Sequence, residues 1–445
     1  MHILLINPGW EGLISGRGRR YNRAWPPLDL LNCAAILETD GHQVELIDAR
    51  ACRIAAETIG QKAEYFDRVF ITSSPIDRWQ CPNLDIDCFL EAVRHLPADR
   101  THILGAHGTL LPEPVLRQTG ARSVVLGEPE FTVRDLCRST NLAEVPGIAY
   151  LEKGMLVRTP DREALDLNQV PPPAYHLVNL NHYSYELLGG RFVLLEGSRS
   201  CPWSCNFCLL AMYGHQYRKK DPLLVIRDLD LAIQKHGARN GYFIDLEFTV
   251  HRVLVEQLCA HLIARRYPFQ WTCQTRLDTI TPEMLAMMKK AGCRLIHYGV
   301  ETGSARVLHS INKRINLDQI RRGMEMTHRA GIESACFFMF GFPEENEEDR
   351  QKTIALAKEL NPTYASFHMA APYPGTPFHR QQEEKTGLPF EESFRRAPSA
   401  QELRGYANLA LKQFYLRPGY ILSRLIHGNP SSWYRQARLF RNFIR

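Results

Sequence analysis

Three cysteines lie within eight residues, in the segment Ser200-Cys201-Pro-Trp-Ser-Cys205-Asn-Phe-Cys208. A loop this short can wrap one face of an iron-sulfur cube, whose iron atoms are bound by cysteine thiolates. Three thiolates leave one iron without a protein ligand, so that iron can bind a substrate. Zinc is the main alternative; it prefers four ligands, and His215 is the nearby residue that would supply the fourth. The spacing therefore predicts a metal centre and favours an iron-sulfur cluster over zinc.

The cysteine loop follows the first strand of a block in which apolar, strand-like runs alternate with helix-length segments. The six strand candidates are 192–196, 242–246, 270–273, 295–299, 335–340 and 365–370. This alternation is typical of parallel strands joined by crossover helices. Six such units predict a partial or complete barrel whose site lies at the carboxyl ends of the strands.

An earlier part of the chain shows the same alternation of apolar, strand-like runs and helix-length segments. Its strand candidates are 2–7, 43–48, 68–73, 101–104 and 123–126, and several of them end in small or polar residues. The carboxyl ends of parallel strands meet at the edge of an open sheet where ligands bind. Each of these residues taken alone could equally serve a tight turn.

Composition and charge narrow the class of protein. Hydrophobic residues make up 44% of the 445 residues, and no apolar run approaches the length of a membrane-spanning helix. The N-terminus has none of the features of a signal peptide, so we expect a cytoplasmic protein whose twelve cysteines are free thiols or metal ligands. The net charge of +6 resides in the tail, because the segment from Leu403 onward has eight Lys or Arg and no acidic residue. We therefore expect no nucleic-acid partner.

The cysteine spacing, with aromatic Phe207 before the third cysteine, resembles the signature of the radical S-adenosylmethionine (SAM) superfamily. That resemblance implies a 4Fe-4S cluster on Cys201, Cys205 and Cys208 whose open iron binds SAM. It also implies an external electron donor of the flavodoxin or ferredoxin type and reductive cleavage of SAM to a 5′-deoxyadenosyl radical. Later segments match the family in the same order along the chain. Each polar residue in them, taken alone, could equally form a buried hydrogen bond within the protein and not contact a ligand. The residues that the resemblance places near SAM or in the active site are Phe207, Asp245, Glu247, Arg276, Glu301 and Pro343.

The first block resembles the cobalamin-binding domain that is fused to one large class of radical SAM enzymes. The motif Asp-any-His-any-any-Gly, through which other proteins bind cobalt, does not occur here. The resemblance therefore implies cobalamin held without a histidine from that motif. The candidate cobalamin contacts are Asn7, Ser73, Ser74, Gly105, His107, Thr109, Gly127 and Glu128.

Together these patterns predict an α/β protein. A doubly wound, Rossmann-like cobalamin-binding domain is expected over 1–144, a linker or β-ribbon over 145–188, a partial (β/α)6 radical SAM barrel over 189–388 and a helical region with a basic tail over 389–445. The family resemblance implies methylation of an unactivated carbon on a small-molecule or lipid substrate. Cyclisation or rearrangement without methyl transfer is the alternative, and a noncatalytic cobalamin or iron-sulfur sensor is a third reading.

The basic tail permits a separate hypothesis. Aromatic and leucine side chains alternate there with arginines, as in an amphipathic helix; these residues are Trp433, Arg435, Arg438, Leu439, Phe440, Arg441 and Phe443. Such a helix can lie on an anionic membrane. It can also pack its apolar side on the protein body, which is the more common arrangement.

Overall fold

The protein is described here by a computed structural model that covers residues 1–9, 24–83, 86–386, 398–427 and 433. The described chain divides into two compact units. The first contains Met1–Ser200 and Leu210–Gly241, and the second contains Cys201–Leu209 and the described residues from Tyr242 onward. Of the residues named for the predicted amphipathic tail helix, Trp433 is described and the others lie outside the described residues.

A seven-stranded sheet forms the centre of the first unit, in the order β2-β1-β3-β4-β5-β6-β7. The first five strands pair in parallel, and the last two form an antiparallel hairpin that extends the sheet. The strands are His2–Asn7 (β1), Gln43–Asp48 (β2), Arg68–Thr72 (β3), Thr101–Leu104 (β4), Ser123–Val125 (β5), Ile148–Glu152 (β6) and Met155–Arg158 (β7). β6 and β7 lie within 145–188, where a linker or β-ribbon was expected, and they are part of this sheet.

Helices accompany the strands of this sheet, and both of its faces are buried. Ile3 and Leu5 belong to one apolar cluster while Leu4 and Ile6 belong to the other, which explains the unbroken apolar run of β1. The helices of the first unit are Leu28–Thr39 (α1), Ala49–Cys52 (α2), Ala56–Ala63 (α3), Asp87–Arg94 (α4), Ala106–Leu110 (α5), Pro112–Thr119 (α6), Glu130–Arg138 (α7) and Pro222–Gln234 (α8).

Five further strands of the first unit are short and lie outside this sheet. β8 pairs with β9, and β11 pairs with β12 in antiparallel fashion. These strands are Ser184–Tyr185 (β8), Gly189–Gly190 (β9), Phe192–Leu195 (β10), Ser198–Arg199 (β11) and Arg218–Lys219 (β12).

A second large sheet has six strands in the order β10-β13-β14-β15-β16-β17, which is also their order in the sequence. Pairing is parallel from β14 through β17. Its remaining strands are Asn240–Phe243 (β13), Gln270–Thr275 (β14), Cys293–Glu301 (β15), Glu333–Phe340 (β16) and Tyr364–Met369 (β17). Helices alternate with these strands: Arg252–Arg265 (α9), Pro282–Lys290 (α10), Ala305–Ser310 (α11), Leu317–Arg329 (α12), Glu347–Leu360 (α13) and Pro377–Thr386 (α14).

Every predicted strand overlaps an observed one, and the largest difference is at 242–246. The strand there is Asn240–Phe243, because the chain leaves the sheet before Asp245 and enters a short 3-10 turn at Phe248–Val250. Asp245 and Glu247 therefore lie beyond the carboxyl end of β13, in the segment that joins the strand to this turn.

The helical C-terminal region contains Pro398–Tyr415 (α15) and Pro418–His427 (α16). The Tyr415 hydroxyl donates to the carbonyl of Ala365 (2.9 Å) and accepts the N–H of the same residue (3.0 Å). One side chain of α15 thus satisfies both main-chain groups of a residue in β17, the outermost strand of its sheet. No helix among the described residues is long and apolar enough to span a lipid bilayer.

Candidate active site

The cysteine loop is clamped by the last turn of α11 and the residues that follow it. The main-chain N–H of Asn206 donates to Ile311 (3.0 Å), and its side-chain amide donates to the carbonyl of Ser310 (2.9 Å). The amide of Asn312 donates to the carbonyl of Ser204 (2.8 Å). Cys201, Cys205 and Cys208 are not in disulfide bonds, and each is partly exposed. The loop that carries them is therefore held by hydrogen bonds within the second unit.

Two of the three thiols interact directly. The Cys208 thiol donates a hydrogen bond to the Cys205 sulfur, which lowers the pKa of Cys205 to about 6 and raises that of Cys208 well above its usual value. Among the described residues, no three His, Cys, Asp or Glu side chains are grouped as a site for one metal ion. Structural zinc prefers four ligands, and this loop supplies three cysteines. A cluster in which each thiolate binds its own iron fits the donor set of this loop better.

A buried lysine lies beside this loop. Lys313 forms an ion pair of 2.9 Å with Glu301, and each side chain is 8% exposed. The Lys313 ammonium lies 6.0 Å from the centre of the Phe207 ring. Burial opposes its charge, yet Glu301, Cys205 and Cys208 outweigh this effect and raise the pKa of Lys313. A positive charge is therefore held close to the thiols, where it favours their anionic form.

No role was predicted for Lys313, because Asn312-Lys-Arg314 has the composition of a surface turn. Gly299 leaves room for the pair, since a Cβ there would lie 2.4 Å from Glu301 Oε1 and 2.9 Å from Lys313 Nζ. This glycine, in the Tyr298-Gly-Val-Glu301 segment, was the available signal that a close contact occurs here.

Arg276 directly follows β14, and its guanidinium is fully engaged by the protein. It forms two bonds of 2.8 Å with the Asp278 carboxylate and donates to the carbonyls of Lys313 (2.7 Å) and Arg314 (3.0 Å). It also lies over the ring of Trp203, 4.6 Å from the ring centre. The guanidinium thus pairs with a carboxylate of the protein itself, Asp278, and Arg276 fixes both Trp203 and the Lys313 turn.

The two acidic residues that follow β13 are buried. Asp245 is 1% exposed, and Glu247 accepts a hydrogen bond of 3.3 Å from the Thr275 hydroxyl. Burial raises the pKa of Glu247 to about 8, although Lys313 and Arg276 act in the opposite direction. Glu247 is therefore largely protonated at neutral pH and can donate a hydrogen bond there.

A cavity of about 140 Å³ brings together Phe207 and Pro343. The ring centres of Phe207 and Phe342 are 5.2 Å apart, so one wall is aromatic. The other lining residues are Asn206, Ser310, Ile311, Glu344, Phe378 and Gln381. An aromatic wall with amide and backbone groups around it suits a flat heteroaromatic ring that also forms hydrogen bonds.

Most of the candidate cobalamin contacts meet at the carboxyl edge of the first sheet. Ser74 Oγ accepts the N–H of Ala106 (2.8 Å), and Ser73 Oγ accepts the N–H of His107 (3.3 Å). Thr109 Oγ1 accepts the N–H of Gly127 (3.0 Å). These bonds join the segments after β3, β4 and β5 into one surface of the first unit.

Gly105 is required by this packing. Its φ of +94° is readily adopted only by glycine, and an added Cβ would lie 2.8 Å from the main-chain nitrogen of Ser74. His107 contacts the carbonyl of Asn83 through Nε2 (2.7 Å). The Asn7 side-chain amide, at the end of β1, instead donates a hydrogen bond to the Asp48 carboxylate at the end of β2 (3.0 Å).

Glu128 belongs to a buried ionic network that sequence analysis did not foresee. The Arg199 guanidinium, with a fully buried side chain, contacts Glu128 (3.1 Å), Glu130 (2.5 Å) and Glu196 (2.7 Å). Arg218 forms a second pair with Glu128 (2.8 Å). Arg199 precedes Cys201 by two residues, so the network fixes the chain just before the cysteine loop.

One protein family and several known proteins are similar to this chain. Residues 195–357 match the radical SAM superfamily. An uncharacterized methyltransferase of Pyrococcus horikoshii is 27% identical over 389 residues, covering 84% of this chain and 82% of that protein. An anaerobic magnesium-protoporphyrin IX monomethyl ester cyclase of Rubrivivax gelatinosus is 26% identical over 395 residues, covering 84% and 68%.

The fold is also found in a solved structure. TsrM from Kitasatospora setae, a radical SAM methyltransferase solved with cobalamin and a 4Fe-4S cluster bound, superimposes with a TM-score of 0.69 at 17% identity, covering 86% of this chain and 75% of TsrM. The cysteine loop lies at the start of the matched segment, so residues 195–357 of this chain form a radical SAM domain, and enzymes with this domain use a 4Fe-4S cluster and SAM.

Proposed function

We propose that this protein is a cobalamin-dependent radical SAM methyltransferase that acts on an unactivated carbon of a small-molecule or lipid substrate. The observation that carries the proposal is the clamped three-cysteine loop, with Phe207 and Lys313 beside it, in a chain that shares its fold with TsrM. The proposal includes the domain boundaries expected from the sequence, with cobalamin bound within 1–144 and a partial barrel over 189–388.

In this proposal Cys201, Cys205 and Cys208 bind the cluster, and the aromatic cavity next to Phe207 receives the adenine of SAM. When bound, the cluster and SAM supply a 5′-deoxyadenosyl radical, and cobalamin supplies the methyl group. Lys313 stabilises negative charge on the thiolates. Asp245 supplies a carboxyl group for the SAM ammonium, since acids suit a cation. Glu247, which is largely protonated at neutral pH, accepts a hydrogen bond from that ammonium through its carbonyl oxygen.

Two candidate residues take positioning roles. Arg276 is engaged by Asp278 and two carbonyl groups, so we assign it to orienting Trp203 and the Lys313 turn. Glu301 fixes the Lys313 ammonium. Electrons for SAM cleavage come, in this proposal, from an external donor of the flavodoxin or ferredoxin type.

The cobalamin site is proposed at the carboxyl edge of the first sheet, where ligands of open α/β sheets bind. Ser73, Ser74, Gly105, His107, Thr109 and Gly127 line this edge. Gly105 lets the chain pass close to Ser74, and this joins the segments that follow β3 and β4. Glu128 pairs with Arg218 and Asn7 donates to Asp48, so we assign these two residues to holding the edge in place and not to binding cobalamin.

Ring formation or rearrangement without methyl transfer is the second candidate. Its support is the Rubrivivax gelatinosus relative, which is a cyclase and is nearly as similar to this chain as the Pyrococcus horikoshii methyltransferase. Both candidates use SAM cleavage, and they differ in whether S-adenosylhomocysteine is formed.

The test is anaerobic. Protein reconstituted with iron, sulfide and cobalamin is reduced and given SAM, and 5′-deoxyadenosine and S-adenosylhomocysteine are quantified by mass spectrometry. We expect both products from wild type, loss of both in Cys205→Ala, and wild-type amounts in Cys52→Ala, which changes an exposed cysteine outside the loop.

Each result has one meaning. If 5′-deoxyadenosine forms without S-adenosylhomocysteine, the methyltransferase proposal is wrong and the protein is a cyclase or rearrangement enzyme. The absence of both products from wild type, with cobalamin still bound in its absorption spectrum, would replace the methyltransferase by a noncatalytic sensor.

A further inference from the structure

Helix α16 packs on the second unit through its polar side chains. The Tyr420 hydroxyl donates to the carbonyl of Thr363 (2.8 Å), and Arg424 donates to the same carbonyl (3.1 Å). The Arg424 guanidinium lies 5.0 Å from the centre of the Tyr420 ring. Tyr420 and Arg424 are one turn apart, so they mark the side of α16 that faces the protein body.

The opposite side of α16 is apolar and faces outward. Ile421, Leu422 and Ile426 are 45%, 58% and 65% exposed. At 100° per residue these three positions share an arc of about 140°. A surface helix normally buries its apolar stripe and exposes its polar side, and α16 does the reverse.

Exposed apolar side chains are concentrated in this region. Eleven large apolar or aromatic side chains are exposed in the described part of the chain, and six of them lie between residues 409 and 433. The six are Leu409, Leu416, Ile421, Leu422, Ile426 and Trp433. An apolar surface concentrated in this way marks an interaction site.

The charge of the same segment indicates which partner fits. From Leu403 to Arg445 the sequence has eight Lys or Arg and no Asp or Glu. A second copy of this chain docked on the same face would bring two such segments together, and like charges oppose that contact. An anionic lipid surface complements the basic residues and also accepts the apolar side chains.

We propose that α16 is a peripheral membrane-binding helix, which lies on anionic lipid with Ile421, Leu422 and Ile426 inserted at the boundary between headgroups and acyl chains. This goes beyond the proposed catalytic function and does not depend on it. It also places the contact at Pro418–His427, ahead of the tail helix that the sequence suggested.

The test is cosedimentation of the full-length protein with vesicles of phosphatidylcholine, with or without phosphatidylglycerol. We expect binding to the phosphatidylglycerol vesicles that weakens as salt rises. The triple variant Ile421→Ser/Leu422→Ser/Ile426→Ser should bind at least about tenfold more weakly, since it removes the three apolar side chains that insert into the lipid. The matched control, Leu223→Ser/Val253→Ser, changes exposed apolar residues elsewhere and should bind like wild type.

Unchanged thermal unfolding of the triple variant would show that it folds. Equal binding of wild type and triple variant, equal binding to both kinds of vesicle, or no binding at all would each overturn the proposal. A dimer seen by sedimentation velocity for wild type and lost in the triple variant would instead assign the face to a second copy of the chain.

Discussion

Asp29, in the first turn of α1, shows how burial changes the chemistry of a single residue. It accepts the N–H of Ile76 (3.2 Å) and is 1% exposed. Burial raises its pKa to about 7, and the nearby Glu130 adds to the effect. The folded protein therefore keeps a proton on Asp29 in a pH range where the unfolded chain has lost it.

Asp29→Asn should remove this dependence on pH. In wild type the folded state binds more protons than the unfolded state between about pH 4 and pH 7, so Asp29 lowers stability progressively as pH rises through that window. We expect the variant to gain roughly 2 kcal/mol over wild type between pH 5 and pH 8. Thermal unfolding at both pH values measures this, with Asp161→Asn on the surface as control. Parallel pH profiles for Asp29→Asn and wild type would contradict the prediction.

A second prediction concerns the contribution of the Lys313–Glu301 ion pair to stability. Lys313→Met leaves the Glu301 carboxylate buried without its partner, and Glu301→Gln does the same to the ammonium. Each change should cost about 3 kcal/mol, and the double variant should cost less than the sum. Thermal unfolding of all four proteins completes the cycle. Arg329→Met breaks an exposed pair with Glu325 and should change stability by less than about 0.5 kcal/mol; strict additivity at 313 and 301 would refute the coupling.

At the scale of elements, the strands were predictable and the side-chain networks were not. The apolar runs of the sheets follow from burial on both faces, which needs only local sequence. The Arg199 network joins Glu128 and Glu130 to a residue about 70 positions later, and such a pairing depends on how distant segments of the chain pack together. Lys313 and Glu301 meet because a turn after α11 returns the chain to the end of β15. Charged residues of this kind have no periodic pattern that reveals their burial.

Two helical glycines allow a prediction about how elements pack. Gly323 in α12 lies against Leu277, whose carbonyl oxygen would be 2.4 Å from an added Cβ. Gly405 in α15 has nothing within 4 Å of that position. Gly405→Ala should stabilise the protein by about 0.5–1 kcal/mol through helix propensity. Gly323→Ala should destabilise it by about 1–3 kcal/mol because the clash outweighs the same gain. Equal shifts of the unfolding temperature would show that α12 can move away from Leu277.

At the scale of the whole molecule, the cysteine spacing gave the superfamily and the order of the later motifs gave the positions of the candidate residues. The α/β class follows from the alternation of strands and helices along the entire chain. The contacts that individual side chains make were harder to predict. Arg276 was expected near SAM or in the active site, and it is held by Asp278. The sequence of α16 likewise does not indicate which of its sides faces outward. Both depend on how the chain packs at distant positions.

The contact between Tyr415 and Ala365 has a consequence for biosynthesis. Because the strands of the second sheet follow one another in the sequence, the sheet can grow strand by strand as the chain leaves the ribosome. Each new strand is then the open edge until the next arrives, and an open edge invites pairing with another nascent chain. β17 is the last of the six, and α15 is made only after it. The Tyr415 hydroxyl occupies both main-chain groups of Ala365, so completion of this helix removes one residue of the open edge from pairing with another chain.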